Sequence, residues 1–263
     1  MSKGIGTKFM QQTKYGQMGP SQQERKYPQP PLEKTFPDKA KLIELPKPTD
    51  LSIADISLRK AIENRKSLRK YSSKHLTLKE LSFLLWTTQG VKTVTTRPVT
   101  IRNVPSAGAR HAFETYILVN KVEDLQPGLY RYIATKHSIL LEKRGIILAA
   151  RLTAACMAQA QVLNSAVTFF WVAIVERMYW RYDERGYRYL HLDAGHVCQN
   201  LYLAAEAIDS GVCAIAAFND DMVNKVLGLD GEKEFAIYIA SLGKKTISFR
   251  IGHGVNGTRP PSG

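Results

Sequence analysis

Apolar residues recur at two spacings along the chain, and from about residue 57 onward they divide it into helices and strands. Leu58 and Ile62 stand at helical spacing and open a short helix that ends close to Ser67. Thr77-Leu78-Lys79-Glu80 has the form of a capping box, with Leu81, Leu84 and Leu85 making one apolar face behind it and Gly90 as a stop. Phe113 to Val119 reads as a strand, and Pro127-Gly128 turns the chain into Leu129 to Tyr132, hairpinned with Ser138 to Leu141. Leu148 to Ala160 reads as an alanine-rich helix, Ala166 to Val175 as a central strand, and Leu190 to Ser210 as a long helix closed by Gly211. A strand at Val212 to Ala217, a helix capped by Asn219 and running to Leu227, and a strand at Phe235 to Leu242 complete the series. The uneven alternation, with a hairpin inside it, predicts an α+β layer fold rather than a doubly wound parallel sheet.

Three stretches escape this periodicity. Residues 1–50 hold seven of the twelve prolines and few apolar residues, so they cannot form a core alone and read as an extended arm. Such an arm either wraps a partner subunit or lies disordered. Val91 to Arg110 reads as a long loop, and Met178 to Tyr189 is aromatic and charged without a clear period. The expected organisation is an arm at 1–50, one domain at 51–246 and a tail at 247–263.

Composition narrows the class. The 263 residues are 44% hydrophobic, enough for one substantial core. The longest apolar stretch, Ala166 to Val175, is too short to cross a bilayer, and no apolar region follows Lys3 and Lys8 as a secretory signal requires. A cytoplasmic protein is expected. Cys156, Cys198 and Cys213 form no CxxC pair and are odd in number, which fits reduced, buried thiols. The formal net charge of +14 calls for an anionic counterpart. Between Arg59 and Lys79 stand eight cations against one acid, Glu63. That run is either a solvated face or an anion site, and it keeps a basic module for nucleic acid or an acidic partner as the competing class.

Several chemistries are excluded by what is missing. No G-x-G-x-x-G, P-loop or G-x-S-x-G segment is present. His191, Asp193 and His196 are near in sequence, but positions i and i+5 on a helix point about 140° apart, so no metal site is expected there. What stays is a set of three separated segments: Asn64-Arg65-Lys66-Ser67-Leu68-Arg69, then Pro105-Ser106-Ala107-Gly108, then Leu242-Gly243-Lys244-Lys245. Small residues at the second let backbone N–H groups approach a flat ligand closely.

Through these segments the chain resembles the nitroreductase superfamily, most closely its SagB-type dehydrogenase branch. The features that carry the resemblance occur in the branch's order: Arg65-Lys66-Ser67-Leu68-Arg69, Leu84-Leu85-Trp86, Pro105 to Ala109, Pro127-Gly128-Leu129-Tyr130 and Gly195-His196-Val197-Cys198-Gln199-Asn200. It covers roughly residues 55 to 245. The resemblance implies a central, mainly antiparallel sheet flanked by helices, and two intertwined chains with FMN at their interface. Arg65, Lys66, Ser67 and Lys244 or Lys245 would hold the flavin phosphate, for which guanidinium and ammonium donors are matched. Arg69 would lie near the ribityl chain or the pyrimidine edge, and Gln161, with Gln159 as competitor, would reach that same edge. Pro105, Ser106, Ala107 and Gly108 would come from the opposite subunit. The loop Ile215-Ala216-Ala217 would pass the ring with a backbone N–H. Because the flavin carries the hydride, no side-chain nucleophile is required.

Two reactions follow from the resemblance. One is hydride transfer from NAD(P)H through FMN to a small electrophilic acceptor such as a nitroaromatic or quinone. The other is the azoline dehydrogenation of modified peptides, in which a Lys-Tyr pair of the branch moves the proton. The matching place here holds Arg181-Tyr182. An arginine does not deprotonate in proteins, so Tyr182 alone is left as an acid or base, and the first reaction is the leading expectation.

Overall fold

The structure, a computed structural model, describes residues 4–246; the expected tail at 247–263 lies outside the described residues. Its elements are α1 (Ile5–Gln12), β1 (Leu42–Glu44), α2 (Leu58–Asn64), α3 (Leu78–Gln89), β2 (Val91–Val94), β3 (Thr100–Arg102), β4 (Phe113–Val119), β5 (Gly128–Ile133) and β6 (Ser138–Lys143). There follow α4 (Leu148–Ala155), α5 (Gln161–Asn164), β7 (Val167–Ile174), α6 (Val175–Tyr182), α7 (Gly186–Ala207), β8 (Ser210–Ile215), α8 (Asp220–Leu227) and β9 (Glu234–Lys244). Seven strands form one sheet in the order β1-β6-β5-β4-β7-β9-β8, and every neighbouring pair in it is antiparallel. This is the α+β, mainly antiparallel architecture expected.

Strand β7 shows why the sheet sits in the middle. Its side chains alternate between faces, as a strand's must, and both faces are covered. Phe169 and Trp171 pack with Leu81, Leu84 and Leu85 of α3 and Leu190, Val197 and Leu201 of α7. Phe170 and Val172 pack with Leu148 and Leu152 of α4 and Val223 and Val226 of α8. A strand buried on both sides reads as a near-continuous apolar run, as Val167 to Ile174 does with Thr168 its one polar member.

The local signals that rest on hydrogen bonds appear as expected. Glu80 N donates to Thr77 Oγ1 at 3.2 Å while Thr77 N donates to Glu80 Oε2 at 2.9 Å, the reciprocal cap of α3. Asn219 caps α8 by accepting from Met222 N at 2.9 Å.

Four expectations are corrected. Gly211 does not close α7, which ends at Ala207; Gly211 lies within β8, where an added Cβ would meet Leu68 Cδ2 at 2.5 Å, so its smallness serves the approach of the 65–69 segment. Helix α4 stops at Ala155 rather than Ala160, because Met157 and Ala158 take φ of 55° and 56°, a left-handed exit marked by no glycine. The stretch 91–110 is not one loop: it begins with the hairpin of β2 and β3. The aromatic stretch 178–189 is helical, formed by α6, a short 3-10 turn at Asp183–Arg185 and the first turn of α7.

The arm is ordered well before Ser57. It carries α1, and β1 extends the sheet by pairing with β6. Between these it runs along its own domain, with a 3-10 turn at Tyr15–Gln17 and a tight turn at 22–26, held by N–H donors from the domain to its backbone carbonyls. Arg131 Nη1 donates to Lys34 O at 2.8 Å and Nη2 to Thr35 O at 3.1 Å. Arg177 Nε donates to Pro31 O at 2.8 Å, Trp180 Nε1 to Tyr27 O at 2.9 Å and Arg185 Nη1 to Thr13 O at 2.7 Å. A proline-rich segment has few N–H groups to offer a sheet but a full set of acceptors, so donor-only side chains are its natural partners.

Candidate functional site

Two groups of the expected residues assemble at different ends of α7. At its C-terminal half, the Arg65–Arg69 segment leaves α2 and runs along the edge strand β8. Leu68 N donates to Val212 O at 2.8 Å, so the segment acts as a short parallel extension of the sheet. Tyr202 of α7 is the hub beneath it. Its hydroxyl bonds Ser67 Oγ at 2.9 Å and accepts from Ala214 N at 3.0 Å, while the Arg65 guanidinium rests 5.1 Å from its ring centroid.

Gln161 approaches Cys213, one residue along β8. Gln161 bonds the thiol and the Arg69 charge acts on it, while burial pushes the thiol pKa up. Gln161 Nε2 also donates to Gln159 Oε1 at 2.8 Å, and Gln159 Nε2 to Ala217 O at 2.8 Å, which ties both glutamines to the exit of β8. Ile215 is buried in the second core, whereas Ala216 and Ala217 are exposed. Among the described residues no carboxylate lies within ion-pair distance of Arg65 or Arg69, although Glu63 is close in sequence and pairs with Arg59 at 2.8 Å. This donor set, cationic and uncompensated beside a strip of small residues, suits a phosphate-bearing planar cofactor.

The lysines of the third segment are placed differently. Lys244 comes near through its backbone, since Ser72 N donates to Lys244 O at 3.0 Å. Its ammonium group pairs with Glu80 and donates to Ile208 O at 2.7 Å. Lys245 Nζ pairs with Glu206 at 2.6 Å.

At the N-terminal half of α7 the Pro105–Gly108 loop meets Arg181 and Tyr182. Gly108 has φ of 56°, and an added Cβ would sit 2.4 Å from Tyr182 Oη and 2.9 Å from Arg181 Nε. Only glycine suits both that conformation and that approach. Asp193 anchors the loop: Ala107 N donates to its Oδ1 at 3.3 Å and the Ser106 hydroxyl bonds the carboxylate, while Ser106 Oγ accepts from His111 N at 2.9 Å. Burial raises the pKa of Asp193 despite these donors, and its Oδ2 has no partner. His196 Nδ1 lies 4.0 Å from Asp193 Oδ1, and among the described residues no imidazole hydrogen-bonds Ser106 Oγ, so no nucleophile-base pair results. Among the described residues no cluster of His, Cys, Asp and Glu is arranged to hold a metal ion.

The family model described as Nitroreductase family matches residues 62–244, which span both groups of residues. The chain belongs to the nitroreductase family. Two of the relatives that carry the name "putative nitroreductase" are more than 30% identical to this chain. One, from Methanocaldococcus jannaschii, is 33% identical over 195 residues, covering 73% of this chain and 93% of that protein. The other, a crystal structure from Anabaena variabilis, is 32% identical with a TM-score of 0.61, over 72% of this chain and 38% of that one. The Trifolitoxin-processing protein TfxB of Rhizobium leguminosarum bv. trifolii is 30% identical over 135 residues, 48% of this chain and 35% of that protein. The chain thus spans little more than a third of the length of the last two.

Within one nitroreductase chain the two residue groups do not meet. Their hubs, Asp193 and Tyr202, are nine residues apart on one helix, about 13 Å at 1.5 Å per residue. Sequence reasoning missed both hubs. Tyr202 shows only as one more large residue on the apolar face of α7, and Asp193 was weighed solely as a metal ligand.

Proposed function

We propose that this nitroreductase-family oxidoreductase is FMN-dependent and works as a homodimer, with residues 51–246 as the flavin domain. The observation that carries this reading is the placement of Arg65, Ser67 and Arg69 along β8 and its small-residue end, with Ser67 held by Tyr202 and neither arginine within ion-pair distance of a carboxylate among the described residues. Arg65, Lys66 and Ser67 would hold the phosphate, with Lys244 or Lys245 joining by exchanging its carboxylate partner. Arg69 and Gln161 would hold the polar edge of the ring, and the Ile215-Ala216-Ala217 exit would pass beside it. Pro105, Ser106, Ala107 and Gly108 would close the site from the second subunit, which fits their separation from Tyr202 within one chain. When bound, the flavin supplies two-electron hydride chemistry. The protein's part is to orient it, to exclude water and, through the Tyr182 hydroxyl, to hold or move a proton.

The leading reaction is hydride transfer from NAD(P)H to a small electrophilic acceptor in two half-reactions. Purified protein should be yellow and should oxidise NAD(P)H with a nitroaromatic or quinone. A colourless preparation that fails to take up added FMN overturns the proposal.

The similarity to a trifolitoxin-processing protein favours a peptide substrate, and together with the SagB-type resemblance it supports a second reading, dehydrogenation of azoline rings on a modified peptide. Arg181 cannot serve as the base of that reaction, so it would rest on Tyr182. If Tyr182→Phe abolishes azoline oxidation and leaves NAD(P)H turnover unchanged, the second reading replaces the first.

A further inference from the structure

Between the arm and the junction of α6 with α7 lies a cavity of about 480 Å³, within the range of small-molecule sites. Tyr15, Met18 and Pro20 of the arm line one side, and Arg181, Tyr182 and Arg185 line the other. The arm wall is fixed in place. Arg185 holds Thr13 O, Arg188 Nε donates to Thr13 Oγ1 at 2.6 Å, and Gln23 N donates to Trp180 O at 2.8 Å. On its inner side the cavity ends at Tyr182, whose hydroxyl abuts Gly108.

The charges in the wall are unequal in their commitments. Glu24 accepts from Ser21 N at 2.7 Å and Ser21 Oγ at 2.9 Å, bonds that hold its pKa below the ordinary value. Asp183 accepts from Glu184 N at 2.9 Å and is bonded by the Tyr179 hydroxyl. The two cations have no carboxylate within ion-pair distance among the described residues. Arg185 donates to the neutral oxygens of Thr13 and Tyr189, and Arg181 lies 5.7 Å from the Tyr182 ring centroid. Glu24 and Asp183 keep their charge but are bonded by neutral neighbours, whereas the guanidiniums retain donor capacity; with two tyrosine rings beside them, these donors suit a flat molecule with an anionic end.

We propose that this arm-walled cavity binds planar carboxylates and is where the acceptor sits, with Arg181 pairing its anionic group and Tyr15 and Tyr182 flanking its ring. The inference rests on the oxidoreductase reading only for the reacting group; recognition of the anion belongs to the cavity itself. Two measurements on the full chain test it. Isothermal titration should show benzoate binding at least about tenfold more tightly than benzamide, the worth of one charge-assisted pair, and Arg181→Gln should erase that difference. In turnover with NAD(P)H, kcat/KM should favour 4-nitrobenzoate over nitrobenzene, and Met18→Glu, which sets a carboxylate in the arm wall, should lower the former more than the latter. Equal binding of benzoate and benzamide, or a preference that survives both substitutions, overturns the proposal. A preparation without flavin or turnover that still discriminates benzoate through Arg181 upholds the anion site and sinks the oxidoreductase reading instead.

Discussion

Two sets of arginines in this chain carry the same charge and have opposite fates. Arg131 and Arg177 are buried, share Glu114, and give most of their other donors to Glu142 and the arm, Arg177 Nη1 alone of them lacking a partner: Arg177 Nη2 meets Glu114 at 2.6 Å and Arg131 Nε meets Glu142 at 2.7 Å. Arg65, Arg69 and Arg181 are at least partly exposed and have no carboxylate partner among the described residues. The difference separates charge that builds the molecule from charge that awaits something, which a net value of +14 does not. The arm, left without a chemical rationale by its composition, accounts for part of that excess through the arginines that hold it.

The comparison breaks hardest at Glu114. Replacing it with Ala strands the buried Arg177 guanidinium, takes one of the two carboxylates of Arg131, and also removes the acceptor of Lys34 N at 2.7 Å. A loss of about 3–5 kcal/mol in urea unfolding is expected; a loss below 1 kcal/mol would mean the cluster is not structural. On the other side, Arg65→Ala should weaken FMN binding at least about tenfold by titration while shifting the unfolding midpoint little. A matching stability loss would place Arg65 in the first set.

A smaller effect comes from His111, whose pKa is lowered to about 3 by burial first and by Arg102 and Arg110 after it. Its folded value lies below the unfolded one, so the neutral ring favours the fold above pH 6.5. That contribution fades as pH falls toward 3. Between pH 7.5 and 5.5 about 1 kcal/mol of stability should be lost on this account, and His111→Gln should flatten that slope in parallel urea series. Smallest of all, Lys79→Ala, at an exposed position of α3, should leave both FMN binding and stability within error. An effect equal to that of Arg65→Ala would return the whole 59–79 run to undifferentiated surface.

The sheet, its helices and the caps were legible because each rests on local periodicity or on a short polar signature, as Thr77 with Glu80 and Asn219 with Met222 show. The misses share a cause. The α4 exit at Met157 and Ala158 uses left-handed residues that are not glycine, and α7 begins without a side-chain cap, so no sequence mark exists at either place. In the site, Arg65, Ser67 and the Pro105–Gly108 loop could be picked out by residue type. Tyr202, Asp193 and the arm wall of the cavity could not, because their roles arise from partners more than eighty residues away in sequence.

The way the arm is attached has a further consequence. Lys34, Thr35, Pro31, Tyr27 and Thr13 are all gripped by their carbonyl oxygens, and a carbonyl is the one group every amino acid shares. The gripping donors are irreplaceable in kind, yet Pro31, Thr35 and Tyr27 are gripped without regard to their side chains; Thr13 and Lys34 alone of the five also bond through theirs, to Arg188 and Glu234. The strap can therefore drift in sequence while staying fastened, leaving positions such as Tyr15 and Met18 at liberty to be retuned for a different guest.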